Sequence, residues 1–183
     1  MNGQSAFTNG VRRVGAALLA LGLALGLVET VFPQVQIPLV GLLLSALSLL
    51  SFLIHEAGHA VFGLLGTFIG VLGGTLAQML FPLAVGALAY TRRQPVWAFF
   101  IFWLGQGLTE ISRYMGDARA QQLPLFAPQT AFGGAAPTHD WAYLLGTLGL
   151  LPFDHVLAAL VYAAGLLVMA LALAGCVLVV LKR

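Results

Sequence analysis

Long apolar runs, separated by short polar or proline-bearing breaks, divide the chain, and at this length the pattern predicts helices rather than strands. A helix that crosses a bilayer needs about 20 apolar residues. Four runs meet that length, at 12–31, 38–66, 68–90 and 155–181. A fifth, 95–115, starts apolar and aromatic with Trp97, Phe99, Phe100, Phe102 and Trp103, and turns polar toward its end. Aromatic residues gather where a helix meets the membrane interface, so this segment is also expected to span. Pro38 and Pro95 stand at helix starts, where a missing backbone N–H is harmless. Regularity then fails over 116–154, where Pro124, Pro128 and Pro137 with Gly133 and Gly134 exclude a continuous helix. The apolar stretch AYLLGTLGLLP that follows is about half a span long and is expected to form an interfacial or re-entrant helix ending at Pro152. No internal repeat and no separate soluble domain is visible. The expected fold is an all-α polytopic transmembrane bundle, one domain over 1–183, with five spans and a short re-entrant helix.

Composition turns that pattern into a class. Of 183 residues 60% are hydrophobic and 8% charged, against about 25% charged in a soluble domain. Too little polar surface remains to coat a water-soluble globule, so the bilayer is the expected partner. The formal charge of +2 comes from eight basic and six acidic side chains. Basic pairs lie near predicted helix ends (Arg12 and Arg13, Arg92 and Arg93, Lys182 and Arg183), which is membrane anchoring and gives no nucleic-acid surface. The single cysteine, Cys176, forms no internal disulfide and reads as a small core residue. Arg12 and Arg13 before an apolar stretch resemble a secretory signal. No small-x-small cleavage site follows Glu29, so the first helix is expected to be retained. Glycines four apart, at Gly22 and Gly26 and at Gly66, Gly70 and Gly74, allow close approach of helices in lipid.

One segment contradicts the apolar rule. Residues 51–65 read SFLIHEAGHAVFGLL, with His55, Glu56 and His59 inside a predicted span. Ionisable groups in hydrocarbon cost several kcal/mol and demand partners. On a helix, positions four apart share a face, so His55 and His59 can both aim ring nitrogens at one ion. Glu56 is offset by about 100° from His55, beside the ion rather than on it. The spacing suits a zinc site with an open position for water, Glu56 serving as general base. The bland alternative is a hydrogen-bonded structural cluster.

A second polar stripe runs along the 95–115 helix. Gln106, Glu110, Arg113 and Asp117 are spaced 4, 3 and 4, which keeps them on one face. Such a stripe in a membrane helix is expected to face the bundle interior, although Glu110 and Arg113 would also serve as a structural ion pair. One crossing separates 38–66 from 95–115, so the two helices are expected to run parallel. His55 lies 17 positions past Pro38 and Glu110 15 positions past Pro95, at matching depth. The irregular segment leaves from that same side and ends in Thr138, His139, Asp140 and Trp141. There a histidine beside an aspartate suits a ligand with its neighbour behind it, and Thr138 or Asp140 equally suits a helix cap. Asp154 reads as the N-terminal cap of the last helix.

HEAGH in a membrane helix, followed by two further spans and an acidic residue near the end of the second, resembles the site-2 protease family of intramembrane zinc metalloproteases. That family has a three-helix core with HExxH on the first helix and an aspartate ligand on the last. The corresponding segments here are 38–66, 68–90 and 95–117. GDARAQQLPL, then HDW, then YLLG is similar to a bacterial subgroup of small site-2 protease-like proteins, which implies a bacterial inner membrane. The resemblance implies His55 and His59 as zinc ligands and Glu56 as the catalytic carboxylate. The family's Asp-Gly pair is absent, and Gly116-Asp117 stands in reverse order. Asp117 occupies the place of the family aspartate, and His139 lies on a segment able to fold back over the site. Asp117 and His139 are accordingly expected to complete the metal site ahead of Glu110, with Asp140 or Glu110 as supporting groups behind the ligands. The expected activity is zinc-dependent hydrolysis of a membrane-embedded peptide or protein substrate. The other reading is a membrane metal-binding protein without hydrolase activity, such as a metal carrier or an assembly subunit. The Pro- and Gly-rich 116–138 segment would act as a gate or as a partner strand for an unwound substrate, or as a plain connector.

Overall fold

A computed structural model describes residues 3–123 and 139–181, and side chains from residue 10 onward except that of Arg12. Among these residues every regular element is helical. In chain order they are α1 (Gly3–Val31), α2 (Pro38–Phe62), α3 (Thr67–Thr91), α4 (Trp97–Gly116), α5 (Asp140–Thr147) and α6 (Asp154–Leu181). Pro124, Pro128, Gly133, Gly134, Pro137 and Thr138 lie outside the described residues, and so does most of the segment read as a gate.

Four helices among the described residues are long and apolar enough to cross a membrane: Arg13–Val31, Pro38–Leu65, Thr67–Thr91 and Leu151–Leu181. Their outward faces carry leucine, valine and phenylalanine in the open, among them Leu18, Leu42, Leu53, Leu160 and Leu171, as suits contact with acyl chains rather than water. The chain is thus an all-helical protein compatible with integration in a membrane. α4 has the length, at 20 residues, but Gln106, Thr109, Glu110, Ser112 and Arg113 make its second half polar.

Element ends follow local chemistry. α2 begins on Pro38 and passes through a 3-10 turn, Gly63–Leu65, to Gly66, whose φ of +101° suits glycine alone. α5 stops well before Pro152. The amide of Leu150 donates to the Leu145 carbonyl at 2.8 Å and that of Gly149 to Gly146 at 3.1 Å, a Schellman closure around Gly149 at φ +69°. The stop signal is therefore the glycine, and the chain resumes as a 3-10 turn, Leu151–Phe153, leading into α6.

Successive helices are antiparallel, and small residues set how closely they pass. Gly58 of α2 faces Gly73 and Ala77 of α3, and a Cβ on it would stand 2.6 Å from that of Ala77. Gly105 of α4 faces Gly165 and Met169 of α6, which makes the most extensive helix pair in the fold. α1 closes the bundle against α6, where Cys176 is buried and its thiol points at the Ala16 carbonyl. One apolar core gathers Leu23, Ala98, Phe102, Met169, Ala172 and Cys176, and a second gathers Ile111, Met115, Ala118, Leu145 and Ala158 beneath α5. An ion pair adds to this packing where the chain leaves α4. Arg119 holds the fully buried Asp154 with two parallel contacts, Nε to Oδ2 at 2.9 Å and Nη2 to Oδ1 at 2.8 Å, while the His155 amide donates to Asp154 Oδ1.

Candidate metal centre

α2 and α3 meet where the sequence places HEAGH, because Gly58 and Gly73 let the backbones approach. Both imidazoles then lie over Gly74, the one residue of α3 whose missing side chain makes room for them. A Cβ there would stand 2.6 Å from His55 Nε2 and 2.7 Å from His59 Cε1.

α5 brings the third group. It docks against α3, with the Phe68 and Tyr143 rings 6.5 Å apart, while Trp141, Ala142 and Leu145 pack on the second core. Asp140, its first residue, is thereby aimed at the histidines. Asp140 Oδ2 lies 3.0 Å from His55 Nε2 and 3.2 Å from His59 Nε2, and the two Nε2 atoms are 3.0 Å apart. Three donor atoms thus form a nearly equilateral triangle. Donors held at about 2.0–2.1 Å around a four-coordinate zinc stand about 3.3 Å from one another, so this triangle needs little adjustment to hold one. His59 Nδ1 donates to the Gly70 carbonyl at 2.9 Å. That bond leaves the Nε2 lone pair of the neutral ring facing the triangle, as a ligand requires. Burial alone would raise the Asp140 carboxyl, but hydrogen bonds and positive charge from the His55 and His59 rings hold it down at about 2, a pairing in which a bound cation would take the place of the shared proton. All three side chains retain some exposure, which leaves an approach to the site. The donor set of two imidazoles and a carboxylate fits zinc.

The other residues singled out in the sequence fall elsewhere. Glu56 is half-buried on the same turn of α2 as His55. Asp117 caps the end of α4 and turns into the loop, where its carboxylate accepts from the Gln122 amide at 3.0 Å and the Leu123 amide at 2.9 Å. Burial pushes the Asp117 carboxyl up, and those amides more than reverse it, so the group sits below the usual carboxylate range. His139 faces Asp117, with Nε2 at 3.5 Å from Oδ2, and its Nδ1 accepts from the Ala142 amide as the N-cap of α5. His139 and Asp140 are sequence neighbours pointed at different partners. The reason is local: His139 is extended and Asp140 is the first residue in helical geometry. The structure therefore gathers His55, His59 and Asp140, and sets Asp117 with His139 as a separate pair.

Glu110 is also apart from the triangle. It meets Ser48 of α2, seven residues before His55, and at a rise of 1.5 Å per residue this is about 10 Å deeper along the helix. The sequence signal for Asp140 was present in the His139-Asp140 pair, but nothing local says which neighbour turns inward.

The capping geometry makes His139→Ala a direct test of its role. Loss of a helix N-cap costs about 0.5–2 kcal/mol. The variant is expected to melt earlier by that measure while still binding one metal per chain, checked by a thermal melt and metal analysis on the same sample.

The chain matches no family model, no curated protein and no solved structure, so the geometry itself carries the functional reading.

Proposed function

We propose that this chain is an integral membrane zinc metallopeptidase of site-2 protease type, with His55, His59 and Asp140 holding the metal and Glu56 as the general base. The observation that carries the reading is the convergence of Asp140, from a helix 85 residues away, on the two histidines of HEAGH. Their 3.0–3.2 Å spacing is close to that of ligand atoms around one zinc ion. Zinc, when bound there, would supply a water of pKa lowered toward about 7 and a Lewis acid for the scissile carbonyl.

The chain's own residues do the rest. Glu56 stands one residue, about 100°, around α2 from His55, and in this reading it takes a proton from the attacking water and hands it to the leaving amine. The Gly70 carbonyl fixes the His59 tautomer. α4 is the fifth span in this reading, with its polar half turned inward, and α5 is a short re-entrant helix that delivers Asp140. The substrate is a membrane-embedded peptide that unwinds to expose its amides. A bacterial inner membrane suits the small bacterial proteins that the sequence resembles.

The test is Glu56→Gln. Purified protein is expected to carry one zinc per chain in both forms, and cleavage of a reporter membrane peptide is expected to fall by about 10²–10⁴-fold in the variant. Cleavage by the variant at the wild-type rate would sink the mechanism. Stoichiometric zinc with no cleavage by the wild type would favour a metal carrier or assembly subunit instead.

A further inference from the structure

Deeper in the bundle, where α2, α3 and α4 meet, lies a second polar cluster that the metal centre does not use. Glu110 of α4 contacts the Ser48 hydroxyl of α2 and the Gln106 Nε2 of its own helix at 3.2 Å through Oε1, and Gln78 Nε2 of α3 at 3.4 Å through Oε2. Ser48 Oγ also reaches the Leu44 carbonyl at 3.0 Å, and Gln106 Nε2 reaches that same carbonyl at 3.1 Å and Ser48 Oγ at 3.2 Å. We propose that Glu110 is a proton-binding site in the core of the bundle, its carboxyl held neutral and donating to Ser48.

Hydrogen counting carries the argument. Five contacts link Leu44 O, Ser48 Oγ, Gln106 Nε2 and Glu110 Oε1, and Ser48 and Gln106 bring one and two hydrogens to them. Gln106, only 5% exposed, has its own Oε1 buried without a partner. The pocket holds more acceptors than hydrogens. A proton on Glu110 adds a fourth hydrogen to the five contacts: the carboxyl O–H donates to Ser48 Oγ, Ser48 donates to the Leu44 carbonyl, and the two Gln106 amide hydrogens are left for Glu110 Oε1 and that same carbonyl. No proton is lost elsewhere, since the bound one comes from water.

Charge leads to the same place. An ionised carboxylate among neutral dipoles inside a membrane protein is costly, and a neutral carboxyl is not. Among the described residues no cation touches Glu110. Arg113, one turn along α4, acts on it only through space. α3 carries no charged side chain. On α2 the ionisable groups are His55, Glu56 and His59, the nearest seven residues beyond Ser48, and Glu29 of α1 lies against Gly41, seven residues before it. On α6, Asp154 is bound to Arg119, His155 sits beside Gly116, and the remaining titratable groups are Tyr162 and Cys176.

The experiment is infrared spectroscopy of the full chain in lipid vesicles at neutral pH. The wild type is expected to show a protonated-carboxyl carbonyl band that shifts in D2O, that is lost in Glu110→Gln and that persists in Glu29→Gln. Ser48→Ala, which keeps the carboxyl but removes its acceptor, is expected to shift the band, so the proposal stands or falls even where Glu110→Gln does not fold. Absence of the band from the wild type, its loss in Glu29→Gln alone, or an unmoved band in both Glu110→Gln and Ser48→Ala would overturn the assignment.

Discussion

Asp140→Ala is expected to empty the metal centre and abolish cleavage with it. The residue contributes one of three donor atoms in a triangle of 3.0–3.2 Å, and the two that remain, His55 Nε2 and His59 Nε2, come from one helix face. Groups that merely hold a ligand in place contribute about 10–100-fold to metal affinity, so removing a ligand itself is expected to weaken zinc binding by more than about 100-fold. In the proposed mechanism activity falls below that of Glu56→Gln, because that variant is expected to keep a metal and this one to lose it. Removing the carboxylate also leaves two imidazoles facing each other without the group between them. Asp117→Ala is the matched comparison: its carboxylate serves the Gln122 and Leu123 amides, so zinc content is expected to stay at the wild-type level. Metal analysis after gel filtration decides between them. Full zinc retention in Asp140→Ala with loss in Asp117→Ala would show that the triangle is not the metal site and would return Asp117 to that role.

The second large effect is expected at a residue with no side chain. In Gly74→Ala the new methyl would stand 2.6 Å from His55 Nε2 and 2.7 Å from His59 Cε1, closer than unbonded atoms approach. The imidazoles are the ends of flexible side chains and can swing aside, so the helices need not part. The folding cost is expected to stay within the about 1–3 kcal/mol typical of overpacking. The metal cost is different in kind. Ligand rings that have swung aside no longer converge with Asp140, and zinc binding is expected to drop as far as in Asp140→Ala. Gly58 makes the informative contrast, because a Cβ there meets the Gly73 backbone and the Ala77 Cβ, neither of which can rotate away. Gly74→Ala should therefore separate metal binding from folding, read as lost zinc in a protein that still melts cooperatively at a modestly lower temperature. Wild-type zinc content in Gly74→Ala would mean that the rings do not lie over α3 as described.

Much of the architecture was readable before any coordinates. Apolar runs long enough to span marked α1, α2, α3 and α6 to within a few residues at most ends, because burial in lipid leaves a helix no alternative way to satisfy its backbone. The N-terminus of α1 is the exception, reaching back to Gly3 rather than starting at 12 and passing through the Asn9-Gly10 pair that local chemistry reads as a break. The end of α5 also departs from the sequence expectation. Pro152 looked like the stop, whereas Gly149 had already closed the helix through a left-handed residue.

Within the site, the division runs along the range of the interactions. His55, Glu56 and His59 belong to one turn of one helix, so the 3.6-residue period places them without knowledge of anything else. Depth could not be had that way. Counting from Pro38 and Pro95 sets Glu110 level with His55, yet it lies level with Ser48, since the offset between α2 and α4 follows from how each packs on α3 and not from distance to a proline. The third donor is the sharpest case. Asp117, His139 and Asp140 are all acids or imidazoles near one end of the bundle, and the sequence favours Asp117 and His139 as ligands with Asp140 behind them. Asp140 alone reaches the histidines, because α5 docks on α3 through Phe68 and Tyr143 and presents its first helical residue inward, while the extended His139 turns back to Asp117. Periodicity along one chain segment is a local property and is written in the residues; which of two neighbouring side chains faces a distant helix depends on packing between elements, and only the folded bundle decides it.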